Sequence, residues 1–279
     1  MLLGPAEIAE LLKQLDVKPT KKLGQNFLHD GNIVRKIVKS AQLEPTDIVL
    51  EVGPGLGSLT LGLLPEVSQV VAVDIDQRFI DQLPATIAKF EPEFSNRLLA
   101  IHKDAMQLET THLPNQPTAL VANLPYNISV PVILTLMAKF PTIEKLLVMV
   151  QAEVADRLAA TAGDAAYGAP SVKLQWFMDV QRLANIARPV FIPVPNVDSG
   201  LVSATRKPEI ETFVTREQVF KVVDAAFNQR RKMLRGALGS IAGGSKAAEA
   251  ALVRAGIDPT LRGEMLDVMQ YVRLTEALN

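Results

Sequence analysis

Asn123-Leu124-Pro125-Tyr126 follows a run of apolar residues, Ala119-Leu120-Val121-Ala122, that reads as a strand. An amide, a proline-stiffened backbone and an aromatic ring at a strand's carboxyl edge suit a flat, weakly nucleophilic amine. The amide oxygen and a backbone carbonyl can accept its two hydrogens while the ring stacks on its heterocycle. The exocyclic amine of a nucleobase is a candidate of that kind. A turn carrying a packed aromatic is the plainer reading of the same four residues.

A second group surrounds a glycine loop, Glu51-Val52-Gly53-Pro54-Gly55-Leu56-Gly57, between an expected strand and an expected helix. Glycines let a backbone approach a ligand closely and adopt positive φ. Asp74 ends the next expected strand and can accept hydrogen bonds from ribose hydroxyls; Asp104 follows the third and can receive an adenine amino group. A nicotinamide dinucleotide is one candidate, but its fingerprint is G-x-G-x-x-G, whereas here a proline occupies the turn and an acid leads the loop. A glutamate is poorly suited to a pyrophosphate and well suited to a cationic ligand bearing an amino acid. S-adenosylmethionine has that chemistry, and an ordinary strand-to-helix turn is the alternative without a ligand.

The elements that would hold these groups alternate. Strands are expected at residues 47–52, 69–74, 98–102, 119–122 and 145–150, with helices at 58–64, 77–90, 130–139 and 152–160. Asp30 is placed to cap an earlier helix through Ile33, Val34, Ile37 and Val38. Such alternation implies parallel βαβ units and a doubly wound α/β sheet of Rossmann type. Segments 180–186 and 200–206 would add two strands, one of them antiparallel at the end. After Pro208 the pattern is helical only, so residues 1–209 read as the ligand-binding domain with an N-terminal arm and 210–279 as a small all-helical domain.

With 279 residues, 48% hydrophobic and 21% charged, the chain can bury a substantial core. Cysteine is absent, which removes disulfides and thiolate metal sites and fits a reducing cytoplasm. His29, His102 and His112 lack metal-ligand spacing, so no metal is expected. Neither a secretory signal nor a membrane-spanning run is evident, so no membrane partner is expected. A net charge of −1 argues against a uniformly basic coat, yet Lys221, Arg230, Arg231, Lys232 and Arg235 stand against the single acid Asp224 within 221–236. That run can bind phosphates; a solvated helix face explains it equally well.

Three further stretches narrow the reading: Lys22-Leu23-Gly24-Gln25-Asn26-Phe27-Leu28 before the first strand, residues 191–199 with the sequence FIPVPNVDS, and residues 227–235 with the sequence FNQRRKMLR. Together with Asn-Leu-Pro-Tyr and the glycine loop they resemble the small-subunit ribosomal RNA adenine N6,N6-dimethyltransferases, in order over about 20–238. The resemblance implies S-adenosylmethionine as methyl donor and small-subunit ribosomal RNA, within a pre-ribosomal subunit, as the partner of a monomeric enzyme. It implies that Asn26 and Leu28 line the cofactor pocket, that Gly53 and Gly55 approach the methionine end, and that Asp74 and Asp104 take the ribose and the adenine. Asn123 would sit between cofactor and target, beside Leu124 and Pro125, while Tyr126 and Phe191 would sandwich a flipped adenine. Lys22, Arg230, Arg231, Lys232 and Arg235 would contact RNA. A packed core aromatic is the competing expectation for Phe191 and Phe27, and packing is expected for Tyr167, Trp176 and Tyr271.

The chain departs from the family pattern twice, with Asp74 where glutamate is frequent and Asn196 near a position often basic. The shorter acid still accepts hydroxyls, with a different reach, and the change at 196 would weaken one RNA contact. Two rivals share these features: a resistance-type adenine methyltransferase acting on large-subunit RNA, and a non-catalytic RNA-binding assembly or transcription factor on the same fold. Leu124 and the 227–235 segment favour the small-subunit assignment.

Overall fold

The computed structural model describes residues 2–17 and 25–279, so Lys22 lies outside the described residues. The described residues divide into two compact units, one within Met1–Ala155 and Val180–Arg206, the other Asp156–Asp179 and Lys207–Asn279.

The first unit carries β1 (Phe27–Leu28), β2 (Ile48–Val52), β3 (Gln69–Asp74), β4 (Leu98–His102), β5 (Ala119–Asn123) and β6 (Lys145–Gln151). After them come β7 (Met178–Ile186), which belongs to this unit from Val180 onward, β8 (Phe191–Ile192) and β9 (Ser199–Arg206). Helices α1 (Pro5–Gln14) and α2 (Gly31–Ser40) precede the sheet; α3 (Ser58–Leu63), α4 (Gln77–Phe90) and α5 (Ser129–Lys139) follow β2, β3 and β5, and α6 (Ala152–Ala159), which follows β6, is divided between the two units after Ala155. Asp30 caps α2 as expected, its Oδ1 accepting from the Asn32 and Ile33 amides at 2.8 and 3.2 Å. Val34, Ile37 and Val38 form the buried face behind that cap.

Seven strands make the main sheet in the order β4-β3-β2-β5-β6-β9-β7. The strands from β4 to β6 pair in parallel, and β9 pairs antiparallel to β6, so the expected antiparallel addition is present. β2, β3, β5 and β6 are almost wholly buried, which is why they read as continuous apolar runs and not as alternating ones. At their amino ends Thr118 donates to Asp47 at 2.7 Å and Lys145 pairs with the same carboxylate at 3.1 Å, tying β2, β5 and β6 together. Parallel pairing gathers the carboxyl ends at Val52, Asp74, His102 and Asn123. The strand order reverses between β2 and β5, and ligands of such sheets bind in the crevice opened there.

The short strands β1 and β8 form a separate antiparallel pair, with Phe27 opposite Ile192 and Leu28 opposite Phe191. No local signal announces this pairing, because two residues are too few to show a period.

The second unit contains α7 (Ala169–Gln175), α8 (Arg216–Asn228), α9 (Leu234–Ala237), α10 (Gly239–Ala242), α11 (Ser245–Arg254) and α12 (Val268–Leu278). Tyr167, Val172, Val219, Val223, Leu252 and Tyr271 share its core. The Tyr167 and Tyr271 hydroxyls donate to the Leu266 and Gly263 carbonyls at 3.0 and 2.8 Å, and Trp176 packs edge-on against Phe220, so all three aromatics pack as expected. The helical unit thus takes in Asp156–Asp179, which a boundary at residue 209 leaves with the sheet. Tyr167 and Val172 explain that membership, since their apolar surface is buried among the tail helices.

Candidate active site

A cavity of about 320 Å³ opens at the β2/β5 switch point, within the first unit. Its floor is the loop after β2. Gly53 and Gly55 adopt φ of 72° and 53°, in the left-handed region that glycine occupies without a Cβ penalty. At Gly55 a Cβ would also meet the Phe27 ring at 3.0 Å, so loop and arm are packed closely. A Cβ on Gly53 would lie 3.9 Å from the Asn123 carbonyl oxygen, which sets the glycine loop directly beside the Asn-Leu-Pro-Tyr segment.

The walls are acidic. Glu51, Asp74, Asp76 and Asp104 all line the cavity, and no Lys or Arg does so among the described residues. Glu51 is 1% exposed, and its Oε2 accepts from the Thr60 hydroxyl at 2.6 Å. Burial drives its carboxyl up to about 8, against the partial relief given by Thr60. Burial also raises Asp74, opposed by the backbone amides of Asp76, Gly55 and Ile75 that donate to it. Asp76 moves the other way, lowered by its hydrogen bonds with Arg78. The Asp104 carboxylate accepts from the Met106 amide at 2.8 Å, which holds the loop after β4 against the cavity. Such a surface repels phosphates and favours a cation, so a dinucleotide pyrophosphate is a poor fit.

The opposite side is the segment between β5 and α5. Asn123 ends β5, and its Nδ2 donates to the Asn26 carbonyl at 3.3 Å. Leu124 is 1% exposed, and its amide donates to the Met149 carbonyl at 3.0 Å, extending the sheet pairing one residue past the strand. Tyr126 is half-buried, and its hydroxyl lies 2.9 Å from that of Ser199. Burial raises the phenol, partly offset by this bond. Asn26 and Leu28 line the cavity from the arm, and Phe27 both lines it and stacks edge-on against Phe79 at 5.6 Å.

The structure therefore brings together Asn26, Leu28, Gly53, Gly55, Asp74, Asp104, Asn123, Leu124, Pro125 and Tyr126. Phe191 is a correction. It is 1% exposed, sits in the core cluster opposite Leu28 and does not line the cavity, because its pairing in β8 turns it inward. The apolar surfaces that do line the cavity include Ile75, Met106 and Phe79, which sequence reasoning missed. The signal was present for two of them: Ile75 and Met106 follow the acids on the same loops. Ser199 closes the 191–199 motif, and nothing local shows that it reaches Tyr126.

Among the basic residues, Arg230 pairs with Glu264 at 2.7 Å and donates to the Ala165 carbonyl at 2.7 Å. Arg235 faces Glu249 at 3.8 Å. Arg231 and Lys232 are exposed, with no ion pair among the described residues. The histidines serve as local hydrogen-bonding groups: His29 to the Pro189 carbonyl, His102 to the Ile75 carbonyl and His112 to the Glu109 amide. No cluster suited to a metal occurs among the described residues, and no described helix is long and apolar enough to cross a membrane.

Comparison with known proteins agrees with this geometry. The chain is 57% identical over 276 residues to a protein of Thermobifida fusca (strain YX) named ribosomal RNA small subunit methyltransferase A, covering 99% of this chain and 96% of that one. It is 54% identical over 279 residues to a protein of the same name from Corynebacterium glutamicum (strain R), covering 99% and 95%. Among solved structures it is similar to a dimethyladenosine transferase from Plasmodium falciparum, with a TM-score of 0.75, 26% identity and coverage of 89% and 95%. It is also similar to the 23S rRNA methyltransferase ErmE, with a TM-score of 0.66, 27% identity and coverage of 91% and 99%. The profile described as ribosomal RNA adenine dimethylase matches residues 17–279, and with the cofactor loop and the Asn-Leu-Pro-Tyr segment meeting in one cavity, this chain belongs to that family.

Proposed function

We propose that this chain transfers methyl groups from S-adenosylmethionine to N6 of two adjacent adenosines in a hairpin loop of small-subunit ribosomal RNA. The product is N6,N6-dimethyladenosine, made during ribosome biogenesis. The substrate is RNA within a pre-ribosomal subunit, and the enzyme acts as a cytoplasmic monomer. One observation carries this reading: the Asn123 amide, at the cavity wall, donates from Nδ2 to the Asn26 carbonyl. That contact turns the amide so that Oδ1 is the end offered to an incoming amine.

The acidic, lysine-free lining suits a sulfonium cofactor. When bound, S-adenosylmethionine supplies a methyl group already activated for displacement. Glu51, as carboxylate, offsets the positive charge of its amino-acid end. Gly53 and Gly55 permit close backbone approach, Asp74 accepts from ribose hydroxyls, and Asp104 accepts from the adenine amino group. Asn26 and Leu28 close the pocket from the arm.

The remaining difficulty is adenine N6, whose lone pair is delocalised into the ring. Asn123 Oδ1 and the Leu124 carbonyl accept its two hydrogens and favour a pyramidal, nucleophilic nitrogen. Positioning and electrostatics of this kind supply much of a rate enhancement. An amide has no useful pKa, so Asn123 is not a general base; the proton leaves after transfer, when the nitrogen is cationic. Tyr126 stacks on the base, which must leave its own stack, at least cost from a loop. Arg231 and Lys232 contact RNA phosphates, and Arg230 and Arg235 join them by exchanging their acidic partners for phosphate.

Mass spectrometry of small-subunit RNA from cells with and without this protein tests the proposal. N6,N6-dimethyladenosine should vanish with the protein, and its persistence would remove the assignment. The likeness to ErmE supports a second reading, with large-subunit RNA as substrate. The higher identity to proteins named for the small subunit favours the first. Primer extension on both RNAs separates them.

A further inference from the structure

The catalytic segment from Leu124 to Ile128 has no regular secondary structure, yet it must hold an aromatic ring at a fixed angle to a base. Ordinary loops do not hold a ring well, because rotation about χ1 and χ2 costs little without a partner. Here the far end of the ring is anchored. The Tyr126 hydroxyl lies 2.9 Å from the Ser199 hydroxyl. Ser199 is 0% exposed and opens β9, where it stands opposite Gln151 of β6 in antiparallel register. The anchor is therefore part of the sheet and not of another loop.

The other aromatic residues in and near the cavity are engaged elsewhere. Phe27 and Phe79 stack on each other, with Phe27 against Gly55, and Phe191 is in the core. Tyr126 is left as the aromatic wall next to Asn123.

We propose that Ser199 is a positioning residue: through the Tyr126 hydroxyl it sets the ring plane on which the target base is held, and the second methyl transfer depends on it more than the first. This rests on the proposed reaction at N6. An unmodified amine offers two hydrogens to Asn123 Oδ1 and the Leu124 carbonyl. After the first transfer one hydrogen remains, so only one of those two directional hydrogen bonds can form. Orientation of the monomethylated base then relies more on stacking, and so on a ring that does not tilt. The hydroxyl of Ser199 touches neither the base nor the donor; its effect passes through Tyr126.

The test is single-turnover methylation of small ribosomal subunits by the full chain, with the first and second transfers resolved by mass spectrometry of the nucleosides. Ser199→Ala, Tyr126→Phe and the double variant are compared with wild type. Loss of one buried hydrogen bond corresponds to about a 5–10-fold effect. The second transfer should slow by that factor in Ser199→Ala, with monomethyladenosine accumulating, while the first transfer, held by both hydrogen bonds to N6, slows less. Tyr126→Phe should slow the second transfer by the same factor, and in the double variant that transfer should be no slower than in either single. Affinity for S-adenosylhomocysteine, measured by calorimetry, should be unchanged in Ser199→Ala.

Equal slowing of both transfers, multiplying effects in the double variant, or a parallel loss of cofactor affinity would overturn the proposal, because each marks a merely structural role. Wild-type behaviour of Ser199→Ala would overturn it too. A wild-type enzyme that methylates no adenine N6 would instead overturn the underlying reaction.

Discussion

Replacing Glu51 by glutamine should change how stability depends on pH. The folded pKa of about 8 lies above the ordinary value of 4.5, so between them the folded chain keeps a proton that the unfolded chain releases. Stability from this group is complete below the unfolded pKa and is lost as pH rises toward the folded one. From pH 5 to pH 8 the loss is about 3 kcal/mol, at roughly 1.4 kcal/mol per unit. A glutamine side chain cannot ionise, and its amide oxygen still accepts from Thr60. Its amide hydrogens add a buried donor that costs about 1–2 kcal/mol at every pH. The offset between the proteins is therefore uninformative, and the slope carries the test. Thermal unfolding across this range should show the Tm of Glu51→Gln gaining about 5–10 °C on wild type between pH 5 and pH 8. Asp74 is also raised by burial, but it is present in both proteins and largely cancels. Calorimetry in buffers of different ionisation enthalpy gives an independent reading. Cofactor binding at pH 7 should release a proton from wild type and none from the variant. A Tm difference that stays flat across pH would refute the burial argument.

Further outcomes follow from the same geometry. Asn123→Ala should lower methyl transfer about 10²–10³-fold, as expected when a preorganised polar group is removed, with S-adenosylhomocysteine affinity falling far less; tritium incorporation into RNA measures the first and calorimetry the second. Arg231→Glu with Lys232→Glu should weaken RNA binding across sequences and reduce the salt-dependence slope by about 1 for each phosphate no longer neutralised, read by filter binding at several salt concentrations. Tyr271→Phe removes the donor to the Gly263 carbonyl at 2.8 Å and should cost about 1–3 kcal/mol, seen as a lower urea midpoint with the methylation rate of the remaining folded enzyme unchanged.

The parts of the fold that sequence made legible are those with a strong local signature. β2, β3, β5 and β6 are buried on both faces and read as apolar runs; Asp30 announces α2; the glycine loop and the acids at 74 and 104 mark the carboxyl ends of strands. What escaped depends on contacts distant in sequence. The Phe191 side chain stands between Val190 and Ile192, a setting that suits a pocket wall or a core position equally, and its orientation is decided by Leu28 across the β1–β8 pair. Residues 156–179 carry no signal of their own allegiance until Tyr167 meets Leu266 and Tyr271. The Tyr126–Ser199 bond spans 73 positions, and both residues stand in visible motifs whose meeting only the fold reveals.

Phe191 matters to the site in another way, as part of a clamp. Residues 26–29 run along residues 189–192: Leu28 opposes Phe191, the His29 amide donates to the Val190 carbonyl at 3.0 Å, and its ring meets the Pro189 carbonyl. One end of this clamp is Asn26, whose carbonyl holds the Asn123 amide. From the other strand the chain continues to Ser199, whose hydroxyl meets Tyr126. The hydrogen bonds that orient the catalytic amide and the stacking ring therefore come from outside the Asn-Leu-Pro-Tyr segment itself. A misplacement of about 1 Å at a reacting group can cost 10²-fold in rate, so a catalytic loop of this kind needs rigid partners. A buried Phe191 gives the clamp apolar packing that a wall exposed to the cavity would forgo.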